Sequence, residues 1–306
     1  MTACKLSRDS SARALLLAFS LGAGLSCESA DRLSPITVAG EVEAAASSPT
    51  GFAGIPFGAF AQPLTVYGPT YTGGHLNPEK PESLLSRLAI IRAAKGRVVL
   101  ALVGGPAKYI NPDGTFNFDL WKAALDRFTA VDFSSYIADG TVIGNLLIDQ
   151  PNCPACWGGQ AIPQETVEAM AHYSKSLWWN MATIARADPT WLSDFSGQYV
   201  DLDAGWAQYV TRKGDVNTYL ADNAAAAQSE GLTLILGLNL LNGGLNQENL
   251  TASQIKNFGS VLLGSSAACA FISWKYDTAY FSRTDIKSAL ELLSKKAKRH
   301  AATPCA

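Results

Sequence analysis

Histidine is scarce in this chain of 306 residues; His75, His172 and His300 are the only three, and they lie far apart. That argues against a histidine-ligated zinc centre. It also argues against a Ser-His-Asp hydrolase, and no G-x-S-x-G elbow is present. Charge of one sign is lacking too. Lys and Arg total 24 against 26 Asp and Glu, a formal net charge of -2. Nucleic acid, which needs a basic surface, is therefore not an expected partner. No Gly-rich phosphate motif follows a strand candidate, because Gly104-Gly105-Pro106 and Asn242-Gly243-Gly244 lead into neither G-x-G-x-x-G nor a Walker pattern. No metal and no cofactor are expected. Long apolar runs are missing as well. The longest, Ala14 to Leu25, is too short to span a bilayer.

That short run has another reading. Lys5, Arg8 and Arg13 precede it and Ser26-Cys27 follows it, the order of an export signal. Residues 1–27 are expected to be a signal peptide, with Cys27 as a candidate lipid anchor and the only route to a membrane. Gly24 departs from the usual lipoprotein pattern. Residues 28–50 are small and polar and read as a flexible linker. The protein is expected outside the cytoplasm, secreted or at the cell envelope, and monomeric.

Six cysteines in an exported chain suggest sparse disulfides. Cys153-Pro-Ala-Cys156 sits in a Gly- and Pro-rich loop, which favours a local staple over a redox motif or half a zinc site. Cys269 lies in an apolar run, as a buried thiol or as a partner of Cys305.

From residue 51 to 303 one domain is expected. Apolar runs at 54–60, 97–104, 142–149, 179–186, 198–205, 232–239 and 268–276 read as strands covered on both faces. Amphipathic segments separate them. One stops at Gly96, another begins at Pro163, a third ends at Gly231, and Thr251-Ala-Ser-Gln254 is a capping box. This rhythm predicts an α/β fold, a (β/α)8 TIM barrel whose eighth strand is irregular or lies within 61–76.

In such barrels the working residues sit at the C-terminal ends of strands. Reading those ends yields Lys108; Asp149 and Gln150; Asp201, Asp203, Trp206 and Tyr209; Asn239; and Trp274, Tyr276 and Asp277. Carboxylates and amides hydrogen-bond sugar hydroxyls, and aromatic faces stack on sugar rings. Each residue also has a plain reading. Asp149 or Asn239 can cap a helix, Asp277 can pair with Lys275 or Arg283, and Trp206 and Trp274 can be core.

The stretch Leu146-Leu-Ile-Asp149-Gln150-Pro151 resembles the Asp-Glu-Pro strand end of glycoside-hydrolase-like TIM barrels. The runs VDLDAGWAQY and FISWKYD are similar to sugar-site strands of that superfamily. The resemblance implies a barrel that acts on or binds carbohydrate. It also implies an acid after Asp149, where this chain has Gln150, an amide that cannot protonate a leaving group. Two functions follow. One is an exported glycosidase using Asp149 with Asp203 or Asp277 as acid and base. Its sugar-binding residues are Gln150, Asp201, Trp206, Tyr209, Asn239, Trp274, Tyr276 and Lys108. The other is a carbohydrate-binding pseudo-enzyme of the envelope.

Overall fold

Strands apolar on both faces need cover on both sides, and a closed ring of them wrapped in helices supplies it. The computed structural model describes residues 52–105, 108–241 and 248–306. The proposed signal peptide and linker, Cys4 and Cys27, Pro106 and Asn242 lie outside the described residues.

Eight parallel strands run in chain order around the barrel: β1 (Phe57–Ala59), β2 (Gly73–Leu76), β3 (Arg97–Leu100), β4 (Val142–Asp149), β5 (Thr183–Arg186), β6 (Ala204–Tyr209), β7 (Thr233–Leu238) and β8 (Ala268–Ser273). The ring closes where Phe57, Gly58 and Ala59 pair with Phe271, Ile272 and Ser273. Helices α1 (Leu84–Ala93), α2 (Phe118–Asp126), α3 (Ser134–Ala138), α4 (Gln164–Leu177), α5 (Pro189–Leu192), α6 (Val216–Ser229), α7 (Ala252–Leu262), α8 (Thr278–Ser282) and α9 (Thr284–Arg299) connect them. The expected (β/α)8 barrel is what the chain forms.

Several punctuation signals act as read. Thr251 and Gln254 form a reciprocal capping box at α7. Gly231 adopts φ +68° just past α6. The end of α1 differs from expectation. Lys95, not Gly96, takes the left-handed position, at φ 54°. Gly96 is needed for space instead, since a Cβ there would lie 2.6 Å from a ring carbon of Tyr67.

Two strands differ from the sequence reading. The eighth strand is β2, inside 61–76, and its sequence Gly-Gly-His-Leu carries too little apolar signal to stand out. The fifth expected strand, 198–205, is displaced towards the C-terminus. The Glu168 carboxylate on α4 accepts the backbone N–H groups of Val200, Asp201 and Leu202. Those groups cannot also enter a sheet ladder, so β6 begins only at Ala204.

Period-two alternation sorts the side chains into two apolar layers. Val99, Ala101, Leu146, Ile184, Trp206, Ile235, Ala270 and Ile272 belong to one cluster, which fills the barrel. Leu100, Leu147, Ala185, Leu234, Leu236 and Phe271 belong to the other, between barrel and helices. Trp206 is the largest fully buried side chain of the inner cluster, at 1% exposure.

The C-terminal tail closes the opposite end. A disulfide joins Cys269, near the start of β8, to Cys305. The Thr233 hydroxyl donates to the Cys305 carbonyl at 3.0 Å. Between tail and strand starts lies a cavity of about 150 Å³ lined by Pro56, Ile143, Ala182 and residues 302–306. The Cys153–Cys156 staple also forms. In the chain-entropy account a cross-link spanning 36 residues stabilises by roughly 4 kcal/mol. We predict that Cys305→Ser lowers unfolding stability by about 3 to 4 kcal/mol in urea titrations under oxidising conditions. A loss below about 1 kcal/mol would show that the tie contributes little.

Candidate functional site at the C-terminal mouth

β4 and β5 pair in register at their last residues, Asp149 and Arg186. The Arg186 guanidinium donates to Asp149 Oδ1 at 2.5 Å. Its Nε donates to Gln208 Oε1 on β6 at 3.3 Å, and Gln208 Nε2 donates to the Leu238 carbonyl of β7 at 2.9 Å. The same guanidinium lies 4.9 Å from the ring centres of both Phe60 and Trp274. Phe60 in turn stacks on His75 of β2 at 4.3 Å and touches Trp206 at 4.6 Å. Residues of β2, β4, β5 and β6, with those just past β1 and β8, thus converge on one buried cation.

Two cavities lie at the Asp149–Arg186 pair, the larger lined by Asp149 and the smaller by Arg186. The larger, about 300 Å³, is mostly apolar, with Phe60, His75, Leu146, Asp149, Trp274 and Lys275 in its walls. The smaller, about 80 Å³, is polar and includes Gln150, Arg186, Asp188, Trp206, Gln208, Arg212, Lys213 and Asn239. Asp188, the N-cap residue of α5, accepts a 2.7 Å hydrogen bond from the Tyr219 hydroxyl and pairs with Lys213.

Titration follows from this packing. Burial pushes the Asp149 carboxyl above the ordinary carboxylate range; Arg186 opposes the shift without cancelling it. Burial lowers the Arg186 guanidinium, against the pull of Asp149 and Asp188. Burial, reinforced by the nearby Arg186 charge, holds His75 down at about 3, so its imidazole is neutral. His75 Nδ1, Trp206 Nε1 and Asn239 Oδ1 are buried without a hydrogen-bond partner. His75 lines the larger cavity and Trp206 and Asn239 the polar one, where a ligand or a water supplies the partner that such buried groups need.

Of the residues read from sequence, Asp149, Gln150, Trp206, Asn239 and Trp274 line the two cavities. The others lie elsewhere. Asp203 precedes β6 and therefore sits at the N-terminal end of the barrel. Its carboxylate accepts the Thr183 N–H at 2.7 Å and pairs with Lys175 at 2.6 Å. The expected Asp149–Asp203 pair is thus separated by the length of the barrel, because β6 starts one residue after Asp203. Asp201 is on that side too and contacts His172 Nδ1 at 2.7 Å. Tyr209 points outward between Tyr219 and Phe258, and its hydroxyl donates to the Gly214 carbonyl. Tyr276 packs on Phe281, 4.6 Å between ring centres. Asp277 caps α8 through the Tyr280 N–H at 2.7 Å. Lys108 is exposed and lines neither cavity.

Sequence reading passed over His75, Phe60, Arg186, Asp188 and Gln208 as site residues. One signal was present: in Ile184-Ala-Arg186 and Trp206-Ala-Gln208 a polar residue follows an inward apolar one at a spacing of two. Polar residues on the inward face near a strand's C-terminus point to the mouth.

No protein-family model matches the sequence, and no curated protein matches it. The fold, by contrast, has clear neighbours. A glucosidase from Croceicoccus marinus superposes with a TM-score of 0.58 at 14% identity, covering 81% of this chain and 69% of that one. A chitinase from Pseudoalteromonas aurantia gives 0.50 at 10% identity, over 76% and 98%. An endocellulase from Pyrococcus horikoshii gives 0.50 at 8% identity, over 79% and 92%. Structural neighbours of this chain are glycoside hydrolases built on the TIM barrel. At such identities they establish the fold and leave the chemistry to this chain's own residues.

The neutral His75 generates a prediction. Its folded pKa, about 3, lies below the unfolded value of about 6.5. Its stabilising effect is therefore complete above pH 6.5 and is lost as pH falls towards 3, since only the unfolded chain takes up the proton. Between pH 7 and 4.5 this one group costs about 3 kcal/mol. In denaturation midpoints measured over that range, His75→Phe is expected to flatten the acid loss by that amount relative to the parent. Identical slopes would remove His75 as its source.

Proposed function

We propose that the protein binds a saccharide in the barrel mouth and hydrolyses a glycosidic bond there, with Asp149 as proton donor. The observation that carries this reading is the Asp149 carboxyl itself. It stands at a strand end, partly open to an aromatic-walled cavity, with its proton affinity raised by burial. A carboxyl whose proton affinity is raised is better suited to protonate a leaving oxygen than a free one. Trp274, half-buried on the larger cavity, offers an aromatic edge to a sugar ring, and the neutral His75 and Asn239 offer unpartnered polar atoms for its hydroxyls. Asp188 supplies the second carboxylate that cleavage by a carboxyl pair needs, in place of Asp203. In the reaction Asp149 gives its proton to the glycosidic oxygen. The C–O bond to that oxygen breaks and the alcohol leaves. Water adds to the anomeric carbon with Asp188 taking its proton, or Asp188 first forms a covalent intermediate that water hydrolyses with Asp149 taking the proton; in the first case exchange with solvent resets the pair.

A second reading is favoured by Gln150. It occupies the position that the resembling pattern gives to an acid, and it lines the polar cavity without a titratable group. On that reading the protein holds a saccharide without cleaving it.

Export remains part of the proposal, by way of residues 1–27. Two disulfides support it, because such bonds persist outside the reducing cytosol.

The test combines turnover of a chromogenic-glycoside panel with calorimetric binding. For a hydrolase, Asp149→Asn is expected to cut kcat by about 10²- to 10⁴-fold with binding retained. The parent's kcat is expected to fall as pH rises through the raised Asp149 pKa, which deprotonates the donor. Equal kcat in parent and variant would remove Asp149 from catalysis. Saccharide binding with no parental turnover, and turnover gained in Gln150→Glu, would establish the second reading.

A further inference from the structure

We propose that the Cys153–Cys156 bridge is a site of reversible exchange with dithiols, and that its redox state sets how firmly the Asp149 strand end is held. The exchange stands on the loop alone. Its effect on a saccharide rests on the function proposed above.

The two bridges of the domain differ in access. Cys269 is fully buried and Cys305 is 6% exposed. Cys153 and Cys156 are half-buried, in a loop whose Asn152, Pro154, Ala155 and Gly158 are exposed. Exchange begins when an outside thiolate reaches a bridge sulfur, so access decides which bridge reacts first. The bridges also differ in what they hold. One spans 36 residues and ties the tail to the barrel, whereas the other spans a separation of 3. So short a cross-link removes little freedom from the unfolded chain, and the barrel survives its loss.

The loop favours reclosure as well. The Cys156 N–H donates to the Cys153 carbonyl at 2.9 Å, and the Trp157 and Gly159 N–H groups donate to the Pro154 carbonyl at 3.0 and 2.9 Å. None of these bonds involves sulfur. They keep the two cysteines on one tight turn after reduction, where each thiol has the other beside it.

What the bridge secures is the exit of β4. Asp149 ends that strand and Gln150 turns the chain. The Cys153 N–H donates to the Gln150 carbonyl at 3.0 Å. Next to Cys156, the Trp157 indole N–H donates to the carbonyls of both Asp149 and Gln150, and its ring meets Phe116 edge-on at 5.6 Å. The stapled turn is therefore the clasp on the backbone that carries the acid. Reduction also creates a donor. Cys156 Sγ lies 3.8 Å from Gln150 Oε1, and a thiol, unlike a bridge sulfur, has a proton to donate to it. Gln150 lines the polar cavity, so the mouth feels the change.

The step balances with a dithiol as reductant. One of its thiolates attacks a bridge sulfur, which forms a mixed disulfide and frees the other cysteine as a thiolate. Its second thiolate attacks its own sulfur in the mixed disulfide, releases the second cysteine and departs as a cyclic disulfide. Two electrons and two protons thus pass from the dithiol to the cysteine pair.

Treating the intact protein with dithiothreitol without denaturant, then alkylating and mapping by peptide mass spectrometry, tests the exchange. Cys153 and Cys156 are expected to label about tenfold faster than Cys269 and Cys305, and to resist labelling again after oxidised glutathione is added. Reduction is expected to change the tryptophan fluorescence of the parent and not that of Trp157→Phe. Saccharide affinity or turnover is expected to fall by about threefold or more on reduction. The double variant Cys153→Ser, Cys156→Ser is expected to keep the lowered value with or without reductant. Equal labelling of all four cysteines, or reduction without a Trp157 signal, would overturn the proposal. Saccharide affinity and turnover that ignore reduction would overturn its control of the mouth. If no saccharide binds in either state, the function proposed above falls, while labelling and fluorescence still decide the exchange and the clasp.

Discussion

A cation buried at the mouth of the barrel is the constraint from which the rest of the site follows. Arg186 is 6% exposed, and a guanidinium cannot shed its charge to escape burial. It must be surrounded by groups that offset lost hydration. Asp149 supplies the countercharge, Gln208 an amide oxygen, and Phe60 and Trp274 the electron-rich faces of their rings. Each of these in turn is held by something else. Gln208 is anchored to β7, Phe60 is wedged between His75 and Trp206, and the carbonyls of Asp149 and Gln150 accept the Trp157 indole N–H at 3.2 and 3.0 Å. The site is therefore one connected unit, and its carboxyl is both paired and poised.

That arrangement shows why the site could be read only in part from sequence. The barrel itself was legible, because buried parallel strands leave long apolar runs and their helices leave caps. Asp149 was legible too, as an acid closing such a run. Asp203 misled because Tyr199, Asp201 and Asp203 alternate as a strand would, while their backbone is in fact claimed by Glu168 on α4. A hydrogen bond between residues more than thirty positions apart leaves no local trace. His75 was invisible for a related reason: β2 is half glycine, so nothing marked it as a strand. Arg186 looked like an ordinary polar residue at a strand end, and only the register of β5 with β4 turns it towards Asp149.

The resemblance to glycoside hydrolases has a similar limit. It describes the scaffold, and scaffolds of this kind host many chemistries. This chain's own opening carries Asp149 followed by the amide Gln150, with Arg186 paired to the acid. An amide at position 150 is polar and gives Asp149 no like-charged neighbour. Its backbone, at φ 53°, adopts the left-handed conformation, which turns the chain sharply into the Cys153–Cys156 loop.

The floor of the barrel has a consequence of another kind. Phe52 lies against Arg97 at the start of β3, and Cys305 is bonded to Cys269 at the start of β8. Residues 52 and 305 thus share the underside of the barrel, where the exposed Ala302 also sits beside Pro56 and Arg97. A fluorescent label or a bead coupled at that position orients the domain on a support with its cleft turned to the solution.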